Sequence, residues 1–538
     1  MDKKLKLDWV TNVIGNEYKQ WKEGDSVFIQ AQTGTGKSQF IKTRLVDYAT
    51  KNNEFILYIC NRINLKRQVK IDLLKKMGEN THHIDLEELD KRSMYGNVKV
   101  TSYQGIQQVI LDKEYGIENT IDYSIYKYVV MDEIHSIIQD ASYNNHTIYF
   151  FNKFIKEYNP NTINIYISAT MDVIKPMIDR IQEGSSIGKT WEYTTGIDYT
   201  YLDVYYFKKV KDIINTINND KSESKWVIFV NTVNKGTYLE EKINDSAFIC
   251  SEGNKKNKSK ISEMERDSII NDSFFSCKCL ITTKVLDNGI NFEDNSLTNI
   301  VIMTLDKIDF IQMLGRKRID INNAQQIKLY IEAKSIKTFT TIKNNIIKPI
   351  REEVKLFFED KNEFRRKYNP NQDELGKYSN VFYTNVNNEL NVNVVSYFTV
   401  VTQDWFCDDM IDRFKQDKES AFIKEQLSWI GHKYDKLNWV IDVVADDEVN
   451  RLREYLDSIV DMKLFAEEQK KLTKLIMNEL VTVGKGIDYR TKKVKPSTLE
   501  RILRDDLGLE YAISKSKRER STKDINYNRR YILITKIK

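Results

Sequence analysis

Residues 31–38 read AQTGTGKS, and the apolar run SVFIQ leads into them. A solvated turn needs one glycine and no lysine. A triphosphate needs more. Gly34 and Gly36 let the backbone turn its N–H groups inward around phosphates. Lys37 carries a cation to the outer phosphates, and the Ser38 hydroxyl can ligate Mg2+. The helical pattern QFIKTRLVDYA that follows points its N-terminus at the same anion. The chemistry expected is binding of a nucleoside triphosphate, with Thr33, Gly34, Thr35, Gly36, Lys37 and Ser38 as the cradle.

A magnesium–nucleotide site also needs a carboxylate at the end of a neighbouring strand and a base that activates water. YVVMDEIHS, residues 128–136, supplies both. Asp132 is expected to hold Mg2+ through its water shell, together with Ser38, and Glu133 to polarise the attacking water. Phosphoryl transfer asks mainly for positioning and charge neutralisation, so these few groups suffice. His135, one of 5 histidines, reads as a relay from the nucleotide to the rest of the chain.

These residues need strands to carry them. The runs SVFIQ, FILYIC, VKVTS, YVVMD and INIYIS alternate with helical patterns and end in polar or small residues, as buried parallel strands do next to a ligand. A second series, WVIFVN, CLITT and NIVIM, begins near residue 200. The fold class expected is α/β, with two such units in tandem. Beyond about residue 345 charged amphipathic helices dominate, for example 412–428 and 448–482, interrupted by a hairpin-like pair, NVFYTNV and LNVNVVSYF. The boundaries expected are 1–190, 191–345, a mainly helical accessory domain at 346–484, and a basic module at 485–538.

Bulk properties bound the class. The 538 residues are 41% hydrophobic and 30% charged, enough for about three ordinary domains. No apolar run is long enough to span a bilayer, so no membrane association is expected. The 5 cysteines are odd in number and scattered, which points to a reducing cytoplasm; the C-x-C at Cys277 and Cys279 lacks the second pair a zinc knuckle needs. The net charge of +5 hides an asymmetry: residues 485–538 hold 16 Lys and Arg against 7 Asp and Glu. That concentration suits a nucleic-acid footprint.

The order of motifs resembles a superfamily 2 helicase of the DExH type. AQTGTGKS looks like motif I, DEIH like motif II and ISAT at 167–170 like motif III. VIFVNT at 227–232, TKVLDNGIN at 283–291 and QMLGRKR at 312–318 resemble motifs IV, V and VI; YICNRINLKRQ and VTSYQG sit where Ia and Ib belong. The resemblance, over about residues 25–320, implies two RecA-like parallel-sheet domains with ATP and Mg2+ in the cleft between them. Carried over by position, Gln312 and Arg316 reach the γ-phosphate, Gly289 and Asn291 approach the nucleotide, and Ser168 and Thr170 join His135 in coupling the domains. Arg62, Thr101, Ser102, Asn231, Thr232 and Thr283 hold the backbone of a single strand, which carries no base preference.

Two departures stand out. The usual Q-x-x-G-R-x-x-R places its second arginine at position 319; here that residue is Ile319, and Arg318 comes one place early. Either Arg318 serves as the second finger or Arg316 acts alone. Only 20 residues separate Asn291 from Gln312, which leaves little room for the strand-splitting hairpin of some relatives. Any wedge then comes from elsewhere, such as the C-terminal region. There Ser497 and Glu500 have capping-box spacing, followed by strand-like YAIS, a basic stretch and YILIT, a winged-helix-like order. Lys515, Lys517, Arg518, Arg520, Arg529 and Arg530 are placed to lie along phosphates.

The activity expected is ATP-driven movement along nucleic acid, with DNA favoured over RNA because a winged module suits a duplex. The alternatives are a DNA-remodelling or clamp ATPase that separates no strands, and an RNA helicase. Protein partners in a replication, repair or defence complex fit the first two. The Lys-, Asn-, Ile- and Tyr-rich composition points to an AT-rich genome of a bacterium, phage or plasmid.

Overall fold

The computed structural model describes the chain except residues 1–2, 62, 82–83, 118–121, 142, 145, 159–160, 184–187, 251–264, 266–267, 270–272, 284–290, 369–380, 386, 388, 441–446, 483–493, 523 and 538. The apolar runs form two parallel sheets. The first contains β1 (Ser26–Gln30), β2 (Phe55–Ile59), β3 (Met94–Tyr95), β4 (Val98–Thr101), β5 (Tyr126–Asp132), β6 (Ile163–Ser168) and β7 (Thr190–Thr194), in the order β3-β4-β2-β5-β6-β1-β7. All pairs are parallel except β3 with β4. Helices cover both faces: Val27, Ile29, Tyr58 and Val130 join one core, Phe28, Leu57, Val129 and Met131 the other. Burial on both faces is why these strands read as continuous apolar runs.

The second sheet contains β8 (Leu202–Phe207), β9 (Lys225–Phe229), β10 (Ser246–Ile249), β11 (Cys279–Thr282), β12 (Leu297–Ile302) and β13 (Ile327–Glu332), in the order β10-β11-β9-β12-β13-β8, all parallel. Both units are RecA-like α/β domains. β12 and the helix Lys307–Leu314 fill the interval between Asn291 and Gln312, and no hairpin occurs there. The helix Val233–Lys242 lies so close to β10 that a Cβ on Gly236 would come 2.2 Å from Cε2 of the fully buried Phe248. Gly236→Ala therefore forces Phe248 aside, and chemical denaturation should record a loss of about 1–3 kcal/mol.

Three boundaries differ from expectation. The first sheet takes in Thr190–Thr194, beyond residue 190, because β7 pairs along the whole of β1. The helical region after 345 is no separate domain up to about residue 430: Ile347, Val354, Phe364, Cys407 and Leu427 share one core with β8 and β13. Its long helix Val394–Asp417 also reaches the first domain, where its cap Asn393 donates to Thr147 Oγ1 at 3.1 Å. Amphipathic spacing marks a buried face but cannot say what buries it.

The third difference is at the C-terminus. The expected run 448–482 is two helices, Asp447–Ser458 and Ala466–Thr482, because Val460 and Leu464 leave the helical path to pair with Ile534 and Ile532. Likewise 412–428 is divided at Lys418, where φ is 51°. Leu456, Leu472 and Ile476 pack with Leu499, Ile502, Tyr511 and Ile534 in one core. The C-terminal unit thus begins near 447 rather than 485. After a short helical segment from Pro496 come β16 (Tyr511–Ile513), β17 (Lys517–Arg518), β18 (Arg530–Tyr531) and β19 (Ile534–Lys536). β16 pairs with β19 and β17 with β18, so the order is helix, bridge, helix, helix, strand, wing, strand, as in a winged helix. The earlier hairpin pair forms β14 (Phe382–Thr384) and β15 (Leu390–Val392) in reading order. Among the described residues no helix is long and apolar enough to cross a membrane.

Candidate active site

Parallel strands bring their C-terminal ends to one edge, and the chemistry collects there. β1 runs into the phosphate loop, β5 ends at Asp132 and β6 at Ser168. Gly34 and Gly36 take φ of 91° and 83°, left-handed values that let the loop turn its N–H groups inward. Trp9 packs against Gly36, where a Cβ would come 2.9 Å from its ring.

Lys37 Nζ donates to Glu133 Oε1 at 2.6 Å, so the loop cation and the expected general base neutralise each other. Glu133 sits at φ 49°, a strained position just past β5. Burial pushes its pKa up, but the charges of Lys37, His135 and Arg316 outweigh burial and hold it well below the usual carboxylate range. Asp132 moves the other way, raised by burial first and by the Glu133 charge next. Tyr58 donates to Asp132 Oδ2 at 2.7 Å, and the tyrosine pKa is pushed far up, so it stays a donor. Asp132 Oδ1 is buried without a hydrogen-bond partner. An orphaned carboxylate oxygen in a cavity that the loop hydroxyl Ser38 also lines fits a hydrated Mg2+, which when bound neutralises the phosphate oxygens.

His135 Nδ1 lies 2.8 Å from Ser168 Oγ and 3.3 Å from Glu133 Oε2. Ser168 Oγ accepts from the Thr170 N–H at 3.0 Å and lies 3.2 Å from Thr170 Oγ1. His135, Ser168 and Thr170 thus form one hydrogen-bonded chain between β5 and β6, with the Glu133 carboxylate beside the imidazole.

The second domain closes the cleft. A cavity of about 330 Å³ is lined by Thr33, Gly34, Gly36, Lys37, Ser38, Asp132, Glu133 and His135 on one side and by Asn291, Gln312, Gly315, Arg316 and Arg318 on the other. The fit is close: a Cβ on Gly315 would come 2.5 Å from Thr33 Oγ1. Gln139 Nε2 donates to Asp309 Oδ1 at 2.8 Å, and Lys307 pairs with Asp172 at 2.5 Å across the same interface. Gln312 Nε2 is buried without a partner, and Gln312 Oε1 accepts from Arg316 Nη2 at 3.3 Å.

The displaced arginine has a structural account. Phe292 N donates to Arg316 O and Arg318 N donates to Phe292 O, an extended bridge that gives residues 316–318 a period of two. Arg316 and Arg318 both reach the cavity, while Lys317 points away and donates to Asp294 O at 2.8 Å. Arg318 thereby lines the cleft although it stands one place early.

The residues expected to hold a strand are dispersed along the two sheet edges. Thr101 ends β4, Asn231 and Thr232 follow β9, and Thr283 follows β11. Two of the hydroxyls already serve as helix caps: Ser102 Oγ accepts from Gly105 N and Thr232 Oγ1 from Lys235 N. Arg62 and Gly289 lie outside the described residues. Lys515, Lys517, Arg518, Arg520, Arg529 and Arg530 are all exposed on the wing. Sequence reasoning gave no role to Tyr58, Asn61 or Gln139, which also stand at this site: the first two lie inside YICNRINLKRQ, where only Arg62 was assigned one, and Gln139 is on a short helix with no motif to mark it. A larger cavity, about 510 Å³, lies between the helices Lys348–Glu359 and Val394–Asp417. Two of its cations, Lys343 and Arg351, are paired with Asp404, and it holds none of this chemistry.

A phosphate loop and acid pair on one RecA-like domain, facing arginines from a second across one cavity, define the core of a two-domain ATP hydrolase. Residues 5–173 match the family model described as type III restriction enzyme, res subunit, and residues 207–319 match the helicase conserved C-terminal domain. The chain belongs to the superfamily 2 helicases. No curated protein matches it by sequence. Among solved structures it is similar to Saccharomyces cerevisiae Dbp5 bound to RNA and ADP BeF3, at 15% identity over 57% of this chain and 78% of that one, with a TM-score of 0.39. It is also similar to the DEAD-box helicase Mss116 bound to ssRNA and UDP-BeF, at 14% identity over 62% and 71%, TM-score 0.44. A third likeness is to Mycobacterium smegmatis helicase Lhr bound to ssDNA and AMP-PNP, at 12% identity over 61% and 47%, TM-score 0.40.

Proposed function

We propose that this chain is a DExH-type helicase or translocase that uses Mg2+–ATP to move along a single strand of DNA, while its C-terminal unit grips the adjoining duplex. The observation that carries this reading is the wing. Six basic residues between 515 and 530 are exposed on it, with Ile525 94% and Tyr527 53% exposed among them. Cations set along a wing suit the phosphates of a duplex, and exposed apolar side chains between them suit base edges or an opened base pair. Cys60, Cys277, Cys279 and Cys407 are in no disulfide, which suits a reducing compartment such as the cytoplasm.

The test is ATP hydrolysis at one fixed salt with no nucleic acid, single-stranded DNA, duplex DNA and single-stranded RNA. Stimulation by DNA is expected. The full-length triple variant Lys517→Glu, Arg518→Glu and Arg529→Glu should need on the order of tenfold more DNA and lose part of its salt dependence. Stimulation by RNA alone overturns the DNA reading, because the 2′-OH is then being read. A second reading, DNA remodelling without strand release, is favoured by β12 and the helix Lys307–Leu314 occupying the interval where a splitting hairpin would stand. DNA-stimulated hydrolysis without unwinding of a forked duplex would decide for it.

A further inference from the structure

The two sheets are joined through residues 195–201, between the end of β7 and the start of β8. Gly196 lies in this linker with φ of 79°, a left-handed value that marks a natural pivot. Gln32, the residue before the phosphate cradle, holds the linker on both sides of that glycine. Its backbone N–H donates to Thr195 Oγ1 at 3.1 Å. Its side-chain Nε2 donates to Asp198 O at 3.1 Å, and its Oε1 accepts from Asp198 N at 2.9 Å. Gln32 and Asp198 are 7% and 6% exposed, so water does not compete. Only an amide offers a donor and an acceptor together here; leucine would leave the buried Asp198 peptide groups without these partners.

The same residue is tied into the loop. Gln32 O accepts from Thr35 Oγ1 at 2.7 Å, and Thr35 is fully buried. Beyond the pivot, the Asp198 carboxylate accepts from Lys6 N at 2.6 Å and Thr200 Oγ1 at 2.6 Å. Leu5 N in turn donates to Ile321 O at 2.9 Å, three residues past Arg318. Together with the covalent step from Lys6 to Leu5, these hydrogen bonds connect the phosphate loop through the linker to Ile321, in the segment that carries the arginines.

We infer that Gln32 is a positioning residue that fixes the interdomain linker against the phosphate loop, so that Arg316 and Arg318 enter the cleft at the right depth when it closes. The inference rests on ATP hydrolysis in this cleft. Gln32 matters when the second domain must close on the transition state, and little when a nucleotide merely sits on the first domain. Hinge residues act on turnover in this way from outside the reacting atoms.

The test uses the full chain with Gln32→Leu and measures binding of ADP and of ADP with aluminium fluoride, in Mg2+, beside kcat and KM for ATP. ADP affinity and KM should stay within about twofold, while kcat and the extra affinity conferred by aluminium fluoride each fall on the order of tenfold. Thr195→Val removes one of the three bonds without changing shape and should show a smaller loss of the same kind; it decides the matter if Gln32→Leu does not fold. Parallel loss of ADP and transition-state-analogue affinity would mean that Gln32 only shapes the loop, and overturns the inference. Unchanged binding of both overturns it too. Arg316→Ala is the control: if it abolishes the aluminium fluoride enhancement while Gln32→Leu does not, the inference fails and the reading of the cleft stands.

Discussion

Glu133→Gln is expected to stop ATP turnover and leave ATP bound. The substitution keeps the shape of the side chain and an oxygen that accepts from Lys37 Nζ, which stands 2.6 Å from Glu133 Oε1. It removes the carboxylate charge, and with it the base proposed to polarise the attacking water. Glu133 is well suited to stay ionised, because Lys37, His135 and Arg316 hold its pKa down against burial. A base that is never charged cannot be rescued by raising the pH. The expected loss in kcat is about 10³-fold, or roughly 4 kcal/mol of barrier. ATP affinity, read with a fluorescent analogue, should be unchanged or slightly tighter, since Lys37 no longer has a charged competitor for the phosphates. Retained hydrolysis would transfer the role of base to another residue.

The second large effect is expected at the arginines. Arg316→Ala should reduce kcat on the order of 10³-fold, because a fixed guanidinium neutralises the charge that spreads over the γ-phosphate oxygens only in the transition state. ADP affinity should change little, since Arg316 belongs to the second domain and ADP rests on the first. Arg318→Ala tests the early arginine separately. The bridge from Arg316 O to Phe292 N and from Phe292 O to Arg318 N turns both side chains toward the cavity. A loss at Arg318 comparable to that at Arg316 assigns two fingers; a loss below tenfold assigns one. Lysine in either place should recover little, because a point charge cannot reproduce the planar fork.

Much of the catalytic half was legible as sequence because its groups are close together in the chain. Gly34, Gly36, Lys37 and Ser38 lie within five residues, and Asp132, Glu133 and His135 within four. Their local geometry is set by one strand end and one turn, so spacing alone carries the chemistry. Strand identity was legible for the same reason: burial on both faces of a parallel sheet demands runs such as YVVMD and INIYIS. The extent of each domain was not. The helices after residue 345 have apolar stripes, but a stripe does not name its partner. The fold gave those up to about 430 to the second sheet and those from 447 to the wing.

Sequence by itself determined that this chain binds and hydrolyses a nucleoside triphosphate between two α/β units, because phosphate cradles and acid pairs are built from short contiguous segments. Only the tertiary structure decided which distant residues brace that site. Tyr58 meets Asp132 across 74 residues, Gln32 meets Asp198 across 166, and Gln139 meets Asp309 across 170. Each contact depends on where whole sheets come to rest, and that is fixed by the packing of their faces, which no local spacing records.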